Sequence, residues 1–281
     1  MPQREAGRKD IRVPRTTLDL IEDYYDAVPR SASRTEEHGP LTLFVNRGAG
    51  WPYYARPARG AHEEVTTAHV HAVRARQRAL GVPEAFEWVA EVTPELAAAA
   101  RAAGLRVHAH PLLVLDGGAW RPAAPPAGVT VRIAGADDPE LALLRSVASL
   151  AFAEPGTAVG RTGRRELLAT ATAMPAAAVS EVRERIAAGL LVMAAAFDGE
   201  GPLAVGSHQP AGRVTEVAGV GTLPAARRRG LGAAVTSELV RDALARGVEL
   251  VFLTAQDDDV ARLYRRLGFR QLATAMIAEP L

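Results

Sequence analysis

The 281-residue chain has no cysteine. Disulfides, thiolate metal sites and a cysteine nucleophile are therefore excluded, and the composition fits a reducing, cytoplasmic setting. Lysine is nearly absent as well: Lys9 stands alone, and arginine carries the rest of the positive charge. Formal net charge is only +1, so no global field draws the chain to nucleic acid or to an acidic membrane surface. No apolar run approaches the roughly 18 residues of a membrane span. The longest, Leu190 to Phe197, has the length of a strand. Met1 to Asp10 is polar, with no apolar stretch behind it, and does not read as a secretory signal.

What is present reads as globular protein, 48% hydrophobic and 23% charged. The length suggests two domains of roughly 100–200 residues each. Asp116 to Gly128 is rich in Gly and Pro without periodicity and reads as a linker, dividing the chain into domains 1–120 and 129–281. After it, Val129 to Ile133 alternates as a strand. Asp138-Pro139-Glu140 opens a helix that continues through Phe152, with Asp138 as its N-cap. Helical sequence follows from Arg164 to Ala188, interrupted by Pro175. Strands are expected at Leu190–Phe197, Leu203–His208 and Val214–Thr222. A helix over Leu231–Arg246 carries Leu231, Val235, Leu239 and Ala243 on one stripe. Then come strand Val248–Thr254, helix Asp257–Leu267 and strand Phe269–Ile277. This is an α/β arrangement, a mixed sheet with two parallel crossovers in its second half.

The stretch Thr222-Leu-Pro-Ala-Ala-Arg-Arg-Arg-Gly-Leu-Gly-Ala234 is the most informative. A strand ends, a short turn follows and a helix begins. The opening N–H groups of a helix lack intrahelical partners, and its dipole adds partial positive charge. Gly230 and Gly232 let a diphosphate approach those amides, and Arg227, Arg228 and Arg229 add full charges. A dinucleotide fold would want a third glycine where Val235 stands, and a P-loop would want Gly-Lys-Ser/Thr, which is missing.

Arg227-Arg-Arg-Gly230-Leu-Gly232, with Pro224 three residues ahead, resembles the acetyl-CoA motif of the GNAT N-acetyltransferases. Leu263-Tyr264-Arg-Arg-Leu-Gly268-Phe269 resembles that family's second signature. The two occur in the family's order, separated by helix, strand and helix. The resemblance spans about Val129 to Leu281. It implies a GNAT-like mixed sheet flanked by helices, splayed at the strand before the phosphate turn. Acetyl-CoA is the implied cosubstrate, with no metal. The amides of Arg228 to Gly232, including Leu231, correspond to the diphosphate cradle. Thr222 and Leu223 correspond to positions whose main chain meets the pantetheine arm. Tyr264 matches the proton donor to the departing thiolate. That role is chemically sound, because a phenol is protonated at neutral pH. Glu216, on the strand leading into the turn, is the candidate base toward the acceptor amine. The implied acceptor is a primary amine on a small molecule or peptide. The alternative is a non-catalytic acyl-CoA-binding sensor or partner-binding protein, which would keep the turn without needing Tyr264.

Other polar residues read more plainly. Asp257 is expected to cap the last helix, and His208 to be hydrogen-bonded rather than reactive. His69 and His71 diverge on a helix, whereas His108 and His110 share a strand face. In the N-terminal domain the expected order is strand Leu41–Asn46, helix His62–Leu80, strand Ala85–Val92, helix Pro94–Ala103 and strand Val107–Leu115. Aligning Gly104 with Gly268 sets Ala-Gly-Leu-Arg106 on Leu-Gly-Phe-Arg270, with Ala100 in the place of Tyr264. The domain thus resembles a degenerate GNAT-like copy that has lost the phenol and the phosphate motif. Its aromatics, Tyr24, Tyr25, Trp51, Tyr53 and Tyr54, are candidates for core or for the wall of a substrate cleft.

Overall fold

The computed structural model describes residues 16–47 and 53–281; Trp51 and the Met1–Asp10 segment lie outside them. The elements run α1 (Thr17–Arg30), β1 (Ser33–His38), β2 (Leu41–Asn46), β3 (Ala55–Pro57), α2 (Thr67–Leu80), β4 (Phe86–Val89), α3 (Leu96–Ala102) and β5 (Leu105–Leu115). After the connecting segment come β6 (Thr130–Ala134), α4 (Leu141–Ala153), α5 (Arg164–Thr172), α6 (Ala176–Ala187), β7 (Val192–Asp198), β8 (Gly201–Ala211) and β9 (Val214–Thr222). The chain closes with α7 (Leu231–Ala245), β10 (Leu250–Thr254), α8 (Asp258–Arg266) and β11 (Phe269–Pro280). Pro175 separates α5 from α6, as its missing N–H requires. Some boundaries differ from expectation: α2 begins at Thr67 rather than His62, and β4 is confined to Phe86–Val89. The fourth helix starts at Leu141, and Asp138 lies in the turn before it. There its carboxylate accepts the Glu140 amide (3.0 Å) and pairs with Arg132.

All strands among the described residues join one 11-stranded sheet in the order β1-β2-β3-β4-β11-β5-β10-β9-β8-β7-β6. Each half lends the other a strand. β5 lies antiparallel between β10 and β11, and β11 lies antiparallel between β4 and β5. The crossover through α7 joins parallel neighbours, β9 and β10. The crossover through α8 does not join neighbours, contrary to the sequence reading, because β5 occupies the place beside β10.

Side chains of β5 and β10 alternate between faces, as the pleat dictates. Leu113, Val251 and Leu253 enter a core with α4 and α7, where Leu144, Val147, Val235 and Leu239 are buried. Leu112, Val114 and Phe252 meet Ile21, Tyr24 and Tyr25 of α1 instead. The Tyr24 and Tyr25 rings stand edge-on to Phe252 at 5.0 and 5.3 Å. Helix α1, from the N-terminal half, is thereby seated against the β10 strand of the other half. A third core, with Phe86, Trp88, Val70 and Leu96, takes in Met276 and Ala278 of β11.

The connection between the halves is packed rather than free. Arg121 N–H donates to Leu267 O (3.0 Å), Asp116 N–H to Gly268 O (3.1 Å) and Ala123 N–H to Ser237 Oγ (2.9 Å).

Candidate functional site

The site begins where two strands part. β9 and β10 pair only through Leu250–Val214, Val251–Thr215 and Phe252–Glu216. Beyond Glu216, β9 stays with β8 while β10 stays with β5, and Val217 to Thr222 have no partner in β10. A bulge sets Gly219 and Val220 against the single residue Gly206 and bends β9 at this point. The opening is a cleft of about 780 Å³.

At one end of the cleft lies the turn into α7. Gly230 caps the helix with φ +80, a left-handed conformation that glycine adopts without strain. Arg228 shares the left-handed region at φ 66, which costs a side-chain-bearing residue about 1 kcal/mol. The first intrahelical bond of this turn runs from Ala234 N–H to Gly230 O (3.2 Å), so the amides of Leu231 to Ala233 point ahead of the helix without intrahelical acceptors. A Cβ on Gly232 would touch Val220, Leu263 and Thr222 at 3.7–3.9 Å, so the motif's second glycine keeps the helix start close to β9 and α8. This geometry and charge fit a diphosphate.

The arginines divide their work. Arg228 lines the cleft and Arg229 is exposed beside it. Arg227 turns away and donates to the carbonyls of Ala151 (2.9 Å), Ala158 (3.3 Å) and Glu154. It ties the end of α4 to the turn and so sets the opposite wall. Thr222 lines the cleft, whereas Leu223 is buried in the core. The Leu223 amide is spent on Leu203 O (2.9 Å), and its carbonyl already accepts Ala226 N–H (2.8 Å).

Tyr264, on α8, also lines the cleft. It is buried, stands edge-on to Phe269 at 6.0 Å, and burial holds its phenol above the ordinary range. The hydroxyl is therefore protonated at physiological pH.

Glu216 lies at the last paired position of β9, next to Val217 of the cleft wall. It is half-buried. Tyr25 O–H donates to Glu216 Oε1 (3.3 Å) and lies 3.4 Å from Thr254 Oγ1, which itself borders the cleft. A polar row thus leads from the cleft to the carboxylate. The Arg56 guanidinium stacks on the Tyr25 ring (3.9 Å) and binds Glu87 (2.7 Å). Burial first, and the Glu87 charge second, push Glu216 up to about 8; Arg56 and the Tyr25 hydrogen bond pull the other way.

One cleft thus brings together Thr222, Arg227, Arg228, Gly230, Leu231, Gly232 and Tyr264 from the sequence reading, with Glu216 beside its deep end; Leu223 and Arg229 stand outside its lining. Asp257 caps α8, accepting Val260 N–H (2.8 Å). His208 is fully buried between Thr215 Oγ1 (3.0 Å) and Asp242 (2.9 Å), with burial lowering its pKa. The His69 ring bonds Thr66 at the start of α2, and the His108 and His110 rings stack on one face of β5 (6.3 Å). Sequence reasoning missed Thr254, Arg56, Glu87 and the contributions of Arg121 and Ala123 from the connecting segment. Tyr25 carried a signal, its place in an aromatic-rich stretch, but no motif tied it to Glu216.

The acetyltransferase (GNAT) family profile matches residues 169–269. No curated protein matches the chain. Among solved structures, a GCN5-related N-acetyltransferase from Kribbella flavida is 26% identical, covers 93% of this chain and 95% of its own, and superposes with a TM-score of 0.68. A tandem GNAT protein from the clavulanic acid biosynthesis pathway is 18% identical over 85% of this chain and 77% of its own, with a TM-score of 0.56. A GNAT-family protein from Novosphingobium aromaticivorans is 20% identical over 87% and 89%, with a TM-score of 0.51. The last two share the fold.

Proposed function

We propose that this protein, a GNAT-type acyltransferase whose family profile falls on residues 169–269, transfers an acetyl group from acetyl-CoA to a primary amine by direct attack. The observation that carries this reading is the parting of β9 from β10, with a diphosphate-suited turn at one end and Tyr264 and Glu216 toward the other. The thioester supplies the activated acyl carbon. Leu231 to Ala233 and Arg228 hold the diphosphate. Glu216 takes a proton from the acceptor's ammonium group, leaving the nitrogen lone pair free to form the new bond. Its raised proton affinity suits this exchange, since a buried pair of neutral amine and neutral carboxyl avoids placing two charges in a poorly solvated site. Tyr264 donates a proton to the sulfur as the carbon–sulfur bond breaks, and the second proton shed by the nitrogen as it becomes an amide restores the phenol. No metal is needed at any step.

The acceptor is an amine on a small molecule or peptide rather than nucleic acid, and the cysteine-free composition supports a reducing, cytosolic setting. No helix among the described residues is long and apolar enough to cross a membrane. We assign residues 1–120 to a degenerate GNAT-like copy and 129–281 to the catalytic domain. Supporting this, α1-β1-β2-β3-α2-β4-α3-β5 repeats the order α6-β7-β8-β9-α7-β10-α8-β11.

Calorimetric titration with acetyl-CoA, with NAD as control, tests the reading. Micromolar binding of acetyl-CoA alone is expected, abolished in Gly230→Glu, where a bulky acid enters the turn. In an amine-dependent thiol-release assay, Tyr264→Phe should slow turnover about 10²-fold or more. Absence of acetyl-CoA binding would sink the reading; binding with no turnover on any amine would favour a sensor instead.

A further inference from the structure

The N-terminal half has a cleft of its own, about 340 Å³, where β3 turns into α2. By element order it is the counterpart of the coenzyme cleft: β3-turn-α2 matches β9-turn-α7, and β4-α3 matches β10-α8. Its charge is reversed. Arg121, Arg227, Arg228, Arg262 and Arg266 border the coenzyme cleft against Asp259 alone. Glu22, Glu63, Glu64 and Glu95 border the second cleft against Arg59 alone, and Arg59 is already paired with Asp23 (2.7 Å). A coenzyme diphosphate would be repelled here.

Helix-dipole complementation accounts for some of these acids, since Glu63 and Glu64 precede α2 and Glu95 heads α3. It does not account for Glu22, which comes from the middle of α1. Glu22 is only 4% exposed, and its Oε1 accepts no hydrogen bond. The Arg56 charge favours the ionised form of Glu22, but Arg56 Nη1 is held by Glu87 (2.7 Å) and its Nη2, like Glu22 Oε1, has no hydrogen-bond partner. A buried carboxylate oxygen left without a donor is costly, and a charge-assisted hydrogen bond from a ligand would relieve it. Pro40, Pro57, Val65 and Val92 add apolar wall, and His62 and Thr93 complete the polar lining.

We propose that this second cleft binds a small aliphatic amine as its cation. The ammonium group is directed at Glu22 and the rim glutamates, and the methylene chain lies along the prolines and valines. Such a site is distinct from the acceptor position beside Glu216 and does not depend on it.

The test is calorimetric titration of the full chain with 1,4-diaminobutane at low salt. The variants are Glu64→Gln/Glu95→Gln, Glu22→Gln and Glu216→Gln, each checked for folding by circular dichroism. The wild type should bind, and Glu216→Gln should keep the N-terminal site. The rim variant, which changes no fully buried side chain, should weaken that site about tenfold or more, and Glu22→Gln should weaken it further. A wild-type stoichiometry of two, with one site lost in Glu216→Gln and the other in the rim variant, supports the proposal equally. No binding by the wild type, or undiminished binding in the folded rim variant, overturns it.

Discussion

At Glu216, burial and the Glu87 charge raise the proton affinity, while Arg56 and the Tyr25 hydroxyl lower it. If Glu216 is the base, kcat/KM should rise with pH and level off above about 8, where the carboxyl ionises. Glu216→Gln should remove that rise. Tyr25→Phe deletes a hydrogen bond that favours the ionised form, so the same limb should move to higher pH; pH–rate profiles of the three proteins decide both points. The environment also has a stability signature. In the unfolded chain a glutamate ionises at ordinary acidic pH. Between about 4.5 and 8 the folded protein holds a proton that the unfolded chain has released, so stability falls as pH rises through this window. Glutamine escapes that penalty. Allowing for partial exposure, Glu216→Gln should gain on the order of 1–3 kcal/mol over wild type at pH 8 and almost nothing at pH 4, as read by urea denaturation.

Among the elements, the turn from α8 into β11 is held more tightly than a motif glycine by itself suggests. Gly268 has φ +99, and a Cβ there would lie 2.4 Å from Ala119 O in the connecting segment. Gly268→Ala should therefore cost about 2–4 kcal/mol, combining backbone strain with a clash against main chain. Gly230 also has positive φ, at +80, but a Cβ there meets nothing within 4 Å. Gly230→Ala should cost only about 1 kcal/mol, and denaturant midpoints of the two variants give the comparison. The sequence carried the importance of Gly268 as part of a motif, but not its partner, because that partner is a segment about 150 residues away. Elements with strong periodicity, such as α7 or the apolar β7, were legible for the same local reason that they form. β1, Ser-Arg-Thr-Glu-Glu-His, was not legible: it is a sheet edge, and its residues do not alternate apolar with polar. α1 was missed as well, although Thr16 and Asp19 form its capping box; without it Tyr25 could not be placed beside Glu216. Local pattern announces an element and its termini, whereas strand neighbours are chosen at long range.

At the scale of the whole molecule, the sheet crosses the division drawn by the motifs. β5 belongs to the first half by sequence yet fills the gap between β10 and β11, and α1 brings the Tyr25 hydroxyl to Glu216. A fragment of residues 1–120 would lack β11, leaving β4 and β5 without the strand between them and Phe86 and Trp88 without Met276 and Ala278. That fragment should be insoluble or collapsed without fixed packing, and a flat chemical-denaturation curve with poorly dispersed amide NMR signals is the expected result; a cooperative transition would contradict it. The exchange also sets a schedule for synthesis. β5 leaves the ribosome about 150 residues ahead of its β11 partner, roughly 8–30 s at ordinary elongation rates. During that interval its backbone is exposed to any neighbouring nascent chain. Arg106, His108, His110 and Pro111 are unusual in a strand destined for the centre of a sheet, but charge, polar side chains and a missing N–H are what keep a temporary edge from joining the wrong partner.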